Sequence, residues 1–242
     1  MDHRIENELA HGRKLLEGGA ESIWNWDSPA GRVRADRRAS LFVSEGKITA
    51  QDNVLEIGCG TGLFTRKVKK ATQCKLTATD LSPELLEQAR KEFPEGTFVQ
   101  DDAMNMQFAD NTFDVVFGSS ILHHLDMQKA MKEIFRVLKP GGRIVFAEPN
   151  MINPQILIQK NIPFIKRMLG DSPDETAIVR WSFKRLLESE GYTSVNIYPY
   201  DFLHPVVPKP LIGFVSFTGK VIEKIPLLKE ISGSVIITGR KK

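Results

Sequence analysis

The chain has 242 residues, 33 basic against 30 acidic, for a formal charge of +3 at pH 7. That length suits one α/β domain with additions or two small domains, and the ordinary composition allows a sizeable core. The mild charge does not call for nucleic acid, no apolar run approaches the ~20 residues of a membrane span, and Met1-Asp2-His3-Arg4 lacks the apolar stretch of a secretory signal. Cys59 and Cys74, with no CxxC and no metal-ligand spacing, suit a reducing, cytoplasmic setting and predict neither a disulfide nor a metal.

In chain order, residues 2–19 read as a polar amphipathic helix with a thin stripe of Ile5, Leu9, Leu15 and Leu16, ended by Gly18-Gly19. Ile23-Trp24-Asn25-Trp26 sits beside turn residues, as an apolar plug over the sheet edge or as part of a substrate lid. Residues 32–46 form a helix whose Arg32, Arg34, Arg37 and Arg38 are expected on a solvated face, with capture of an anionic substrate group as the alternative. Val54-Leu55-Glu56-Ile57 is a short buried strand. It runs into Gly58, Gly60 and Gly62, a tight turn that lets a ligand approach the backbone, and then into a helix over 62–71.

Lys75–Thr79 is the second strand, ended by Asp80. Ser82 and Pro83 supply the N-cap and first position of a helix reaching about Phe93. Residues 96–100 and 113–117 are the third and fourth strands, followed by Asp101-Asp102-Ala103 and Gly118-Ser119-Ser120. A helix over 126–138 stops at Lys139-Pro140-Gly141-Gly142, and Arg143–Glu148 is the fifth strand. Strands and helices alternating at this spacing predict a parallel sheet covered on both faces, with ligands beyond the carboxyl ends of the strands. The glycines, Asp80, Asp102, Ser119 and Glu148 all fall at those ends.

From Pro149 the composition shifts. A short helix pair is expected in 151–170, a turn and helix start at 171–175, a helix over 183–190 closed by Gly191, a sixth strand at 194–198 and a seventh at 234–239. The insertion 204–231 is longer than a hairpin needs and reads as one or two helices. Packing onto a cap is the expected fate of its apolar residues. Contact with a membrane surface or a lipid-like substrate, helped by Lys209, Lys220, Lys224 and Lys229, is the alternative.

Dinucleotide folds use GxGxxG, but the run Gly58-Cys59-Gly60-Thr61-Gly62-Leu63 has leucine where the third glycine belongs. Glu56, two residues before the first glycine, suits a ligand bearing positive charge better than a diphosphate.

Val-Leu-Glu-Ile-Gly-Cys-Gly-Thr-Gly at 54–62 resembles the first motif of class I S-adenosylmethionine-dependent methyltransferases, of the small-molecule type that includes quinone methyltransferases. Thr79-Asp80-Leu81-Ser82, Asp101-Asp102-Ala103, Phe113–Val116 with Leu122-His123-His124-Leu125, and Leu138–Arg143 continue the likeness in order. The resemblance implies a Rossmann-like α/β sheet of seven mostly parallel strands, ordered 3-2-1-4-5-7-6 with the last antiparallel, helices on both faces and a helical cap. It places a single domain over 1–242: an N-terminal cap (1–48), a cofactor-binding core (49–149), cap insertions (150–178 and 204–231) and the rest of the core (179–203 and 232–242).

It also implies roles. Asp80 would accept from both ribose hydroxyls, as a carboxylate can. The Gly58–Cys59–Gly60 backbone would pass under the methionine and ribose, and Glu56 would face the cofactor's amino end, directly or through the loop. Asp102 and the Ala103 N–H would meet the adenine, Leu81 would pack on its face, and Ser119 would help hold the aminoacyl end. N-capping of the following helix is the structural alternative for Asp80 and Asp102. His123, His124 and Glu148 are candidate bases, with His204 a weaker one; packing at a helix start is the plainer reading of Leu-His-His-Leu. The expected activity is methylation of a small organic or lipid-like acceptor, O-methylation first and C-methylation of a quinone-like ring next. A nicotinamide-dependent oxidoreductase and a non-catalytic cofactor-binding relative remain open.

Overall fold

The computed structural model describes residues 9, 12, 13, 16, 18–168 and 175–242. Most of the helix expected over 2–19, and the turn at 171–174, lie outside the described residues.

The apolar runs become the strands β1 (Asn53–Ile57), β2 (Lys75–Asp80), β3 (Thr97–Gln100), β4 (Phe113–Ser119), β5 (Leu138–Pro149), β6 (Tyr192–Tyr200) and β7 (Ser234–Lys241). They form one sheet in the order β3-β2-β1-β4-β5-β7-β6, parallel except for β7, which runs antiparallel between β5 and β6. The predicted order and direction therefore hold. Val54, Leu55, Val115, Val116, Val145 and Ile236 are fully buried, as strands covered on both faces require.

Among the described residues the helices longer than one turn are α1 (Pro29–Glu45), α2 (Leu63–Thr72), α3 (Pro83–Glu92), α4 (Met127–Val137), α5 (Pro154–Asn161), α6 (Pro163–Met168), α7 (Arg180–Ser189) and α8 (Ile212–Ile222). Their starts follow from local chemistry. Ser28, Ser82 and Asn153 accept backbone N–H groups as N-caps, each followed by proline at the first helical position. Asp126 caps α4 through the Lys129 N–H at 3.1 Å. α1 buries Phe42 against Phe64 of α2 and Phe117 of β4. Truncating a fully buried phenylalanine costs about 3–5 kcal/mol, so this contact fastens the N-terminal cap to the sheet.

Strand order reverses between β1 and β4, which opens a crevice at the carboxyl ends of the two strands. Several boundaries differ from expectation. β5 begins at Leu138 and passes through the glycine pair, with a register shift against β4 and Gly141 at φ +76°. Residues 175–178 do not start a helix; they lie extended beside the end of β5, Ile178 bridging to Asn150, and α7 starts at Arg180.

The 204–231 insertion departs from the expectation that it packs away its apolar residues. Phe214 and Phe217 are each 68% exposed and Leu227 82%. α8 is apolar nearly all round, and the neighbouring chain covers little of it: its one buried residue is Gly219, against Phe202. Among the described residues no helix is long and apolar enough to cross a membrane.

Candidate active site

The glycine turn is built on left-handed backbone. Gly58, Gly60 and Gly62 have φ of +64°, +54° and +78°, a region where a side chain is strained. A Cβ on Gly58 would also lie 2.5 Å from Ile121, and one on Gly60 2.9 Å from the Trp24 ring. Asp80 braces the turn: Oδ2 accepts the Gly60 N–H at 2.8 Å and Oδ1 the Ser82 N–H at 3.0 Å. Above it lies a cavity of about 660 Å³.

Gly58, Cys59, Gly60, Asp80, Leu81, Asp102, Ala103 and Ser119 all line this cavity, as do His123 and His124. Asp102 accepts the Met104 N–H through Oδ1 at 2.9 Å, so its local bonding and its place on the cavity wall coexist. Neighbouring Asp101 folds the turn by accepting from Asp102 and Gln107 N–H groups, and burial raises its pKa. Both tryptophans belong to the lining. Trp24 sits over Gly60, while Trp26 meets Phe64 edge-on and carries the Arg38 guanidinium 4.9 Å from its ring centre.

Three sequence-predicted groups do not line the cavity. Glu56 is buried beneath the turn and accepts the Thr65 hydroxyl, so it braces α2 against β1 and makes no direct approach to a ligand. Burial pushes its pKa up to about 8; the Thr65 bond opposes that shift and the charge of Asp80 adds to it. Glu148 lies behind His123. Its Oε1 accepts the Ile121 and Leu122 N–H groups, both at 2.9 Å, and its Oε2 meets His123 Nδ1 at 2.7 Å. With both oxygens accepting, His123 Nδ1 carries the hydrogen, so Glu148 orients an imidazole and does not itself face an acceptor. His204 is also outside the lining, its Nε2 at 3.4 Å from Gln155 Nε2.

The arginine helix is a solvated face only in part: Arg32 is exposed as expected, whereas the other three arginines turn to partners in the protein. Arg34 pairs with Asp201 at 2.8 Å, and Arg37 makes a two-point bond to Glu223. Arg38 is 3% exposed and reaches the cavity wall, donating to Tyr200 Oη (3.0 Å), Ser119 Oγ (2.9 Å), Ser120 Oγ (3.1 Å) and Ser234 Oγ (3.2 Å). All these partners are neutral hydroxyls. Among the described residues no carboxylate stands within ion-pair distance of this buried cation, an arrangement that fits an anionic ligand group. Sequence reading placed Arg38 outward because three other arginines share its helix; the helical interval from Arg34 to Arg38, beside buried Ala35 and Phe42, was the available signal.

His123 and His124 stack with ring centres 4.2 Å apart. Burial, then the neighbouring His124, lowers the His123 pKa against the raising effect of Glu148, so its ring is held neutral near pH 7. Glu175, missed by sequence reading as a turn residue, is brought here because Thr176 N–H bonds the His123 carbonyl at 3.2 Å. Its Oε1 stands 3.7 Å from His124 Nδ1, and its Oε2 takes the Lys160 ammonium at 2.7 Å.

Comparison with known proteins accords with this geometry. The family model described as "Methyltransferase domain" matches residues 55–146. A demethylmenaquinone methyltransferase of Chlorobaculum parvum is 34% identical over 205 residues, 78% of this chain and 81% of that one. The O-methyltransferase cnsE of Penicillium expansum is 29% identical over 155 residues, 60% of this chain and 56% of that one. Among solved structures, a Haemonchus contortus phosphoethanolamine N-methyltransferase bound to phosphomonomethylethanolamine and S-adenosylhomocysteine superposes with TM-score 0.65 at 16% identity, over 91% of this chain and 56% of that one, a likeness of fold. With the glycine turn, Asp80 and the seven-strand order in place, the chain is a member of the class I S-adenosylmethionine-dependent methyltransferase family.

Proposed function

We propose that the chain methylates a lipid-like acceptor that carries an ionisable hydroxyl on a ring, and that the acceptor ring stands between the glycine turn and His123–His124. One observation carries this reading: a single cavity joins the glycine turn and Asp80 to the two histidines and to α5, whose outer face is apolar.

Bound S-adenosylmethionine supplies a methyl group on a positively charged sulfur. This chain's residues supply position and protonation state. Asp80 would accept from the ribose, the Gly58–Gly60 backbone would hold the methionine part, and Arg38 would pair with its carboxylate. Asp102, Ala103 and Leu81 would hold the adenine. Alignment in a water-poor cavity supplies much of the barrier reduction for transfer from a sulfonium. Neutral His123, oriented by Glu148, and His124 are the groups placed to take a proton from the acceptor hydroxyl. The resulting phenolate is nucleophilic at oxygen and at the ortho and para ring carbons, so one deprotonation serves either O- or C-methylation. We favour ring carbon, because the relative of greater identity and coverage acts on demethylmenaquinone, whereas the O-methyltransferase cnsE matches over a smaller share.

The exposed apolar helices support a lipid-like acceptor taken from a bilayer surface. Leu157, Phe164 and Met168 of α5 and α6, with Phe214, Phe217 and Leu227, stand in water beside Lys209, Lys220, Lys224 and Lys229. The start of α5 and the end of the insertion meet where Asn153 bonds the Ile231 carbonyl at 2.7 Å. Apolar surface interleaved with lysines is the pattern of a segment lying on an anionic membrane. Buried free Cys59 and Cys74 favour the cytoplasmic side.

The test uses Trp24 and Trp26 on a Trp181→Phe background, which removes the third, half-exposed tryptophan. Titrating a prenylated benzoquinone into the S-adenosylhomocysteine complex should quench their fluorescence saturably. Unquenched emission, with cofactor bound, would exclude an acceptor of this class from the cavity.

A further inference from the structure

We propose that Arg38 and the hydroxyls of Ser119, Ser120 and Ser234 form a site for one small carboxylate-like anion, and that the cofactor's carboxylate displaces this anion when it binds. The proposal rests on the pairing of Arg38 with that carboxylate and goes beyond it: cofactor binding becomes an exchange of anions.

A guanidinium carries five N–H groups. Four of those on Arg38 point at hydroxyl oxygens: Nε at Tyr200, Nη1 at Ser119 and Ser120, and Nη2 at Ser234. One Nη2 hydrogen is left over. A serine oxygen that accepts from a cation turns its own hydrogen away from that cation. Among the described residues none of the three serine hydroxyls donates to a protein acceptor. Ser119, Ser120 and Ser234 line the cavity with Arg38, whereas Tyr200 is buried outside the lining. The wall therefore offers one N–H and three O–H groups beside a fixed positive charge. That donor set suits an anion with two or three oxygens, each able to accept more than one hydrogen.

The charge pattern of α1 singles out the same place. Arg34 meets Asp201 and Arg37 meets Glu223, while Arg38, only 3% exposed, has no carboxylate partner among the described residues. Arg34 shares the Trp26 ring with Arg38, and Arg37 covers the ring of Tyr200, so the two paired guanidiniums frame the unpaired one. A buried cation without a counter-charge gains by recruiting an anion. The backbone is shaped for the same purpose. Ser120 has φ of +55°, a left-handed conformation that costs a serine energy, and its N–H bonds the Ala147 carbonyl at 2.8 Å. Consecutive side chains along a strand point to opposite faces. The turn at Ser120 instead brings the hydroxyls of Ser119 and Ser120 onto one nitrogen of Arg38.

The test is calorimetry of the full chain with S-adenosylhomocysteine as sodium formate is raised, ionic strength being held with sodium gluconate. Formate at about 100 mM should weaken S-adenosylhomocysteine at least ~3-fold by competition. It should leave 5′-methylthioadenosine, which lacks the carboxylate, unchanged or bound more tightly. Arg38→Met should remove the formate dependence, and Ser120→Ala with Ser234→Ala should reduce it. Binding of 5′-methylthioadenosine reports that each variant is folded. Formate alone should also shift the emission of Trp26, which the Arg38 guanidinium covers, on the Trp181→Phe background. No shift in emission and no change in S-adenosylhomocysteine affinity would overturn the site. Competition that persists unchanged in folded Arg38→Met would also overturn it, by placing the anion elsewhere. An emission shift without competition would overturn the exchange alone: the anion would sit at Arg38 and the cofactor's carboxylate would not.

Discussion

Replacing Arg38 with methionine isolates the electrostatic part of cofactor binding. The guanidinium is buried over the Trp26 ring, its hydrogen bonds among the described residues all go to the hydroxyls of Tyr200, Ser119, Ser120 and Ser234, and it stands on the wall of the cavity. If it pairs with the methionine carboxylate, that contact is a desolvated charge pair. Truncating one partner of such a pair costs about 2–5 kcal/mol, or ~30-fold and more in Kd. Methionine keeps much of the arginine stem, so the packing on Trp26 suffers less than the charge. Calorimetry with two ligands separates pairing from structural damage. S-adenosylhomocysteine carries the carboxylate; 5′-methylthioadenosine has the same nucleoside without the amino-acid end. Arg38→Met should weaken the first at least ~30-fold and the second by less than about threefold. Equal loss for both ligands, or no loss for either, would refute the pairing.

Asp80→Ala should weaken S-adenosylhomocysteine about tenfold by removing charge-assisted bonds to the ribose; calorimetry with the 2′-deoxyribose analogue should show a smaller loss. Glu56 makes stability depend on pH. Its folded pKa of about 8 lies above the ordinary 4.5, so the folded chain keeps a proton that the unfolded chain releases. Its stabilisation is full below pH 4.5 and declines as pH rises to about 8, by at most ~1.4 kcal/mol per unit. Glu56→Gln should flatten this decline in denaturant unfolding; an unchanged slope would mean Glu56 is ionised in the folded chain. Phe214→Ser with Phe217→Ser should abolish sedimentation with vesicles containing phosphatidylglycerol, and high salt should weaken the parent chain's binding by screening its lysines. Equal binding of the parent to neutral and anionic vesicles would remove the charge contribution.

The fold was legible because its signals are local. Ser82 and Pro83 open their helix as expected, and the buried strands β1 and β2 are short apolar runs ended by glycine or aspartate; Ser28-Pro29 and Asn153-Pro154 carry the same start signal, which was not read as one. The gathering of Gly58, Gly60, Asp80 and Asp102 on one cavity wall was legible for the same reason: each sits at or just beyond the end of a strand, where parallel topology gathers strand ends together. The rest of the cavity depends on contacts distant in sequence. Arg38 meets Tyr200 and Ser234, residues whose approach depends on β6 and β7 docking beside β5. Glu175 reaches His124 only because residues 175–178 stay extended against β5. Glu56 and Glu148 show the opposite failure. Both stand at ligand-facing positions by spacing, yet each turns inward to a donor, Thr65 or the Ile121–His123 segment, because a buried carboxylate must find hydrogen bonds. The exposed phenylalanines of α8 were expected inside because apolar residues usually are; here the surrounding chain offers no surface to cover them.

Methyl transfer itself tests the functional reading most directly. The chain, incubated with methyl-labelled S-adenosylmethionine and a prenylated hydroquinone in phosphatidylglycerol vesicles, should yield a labelled, organic-soluble product whose new methyl is bonded to ring carbon by NMR. The tail-less hydroquinone should react far more slowly. A product methylated on oxygen would reverse the regiochemistry, and equal rates for the two acceptors, or no labelled product, would contradict a lipid-like acceptor in this cavity.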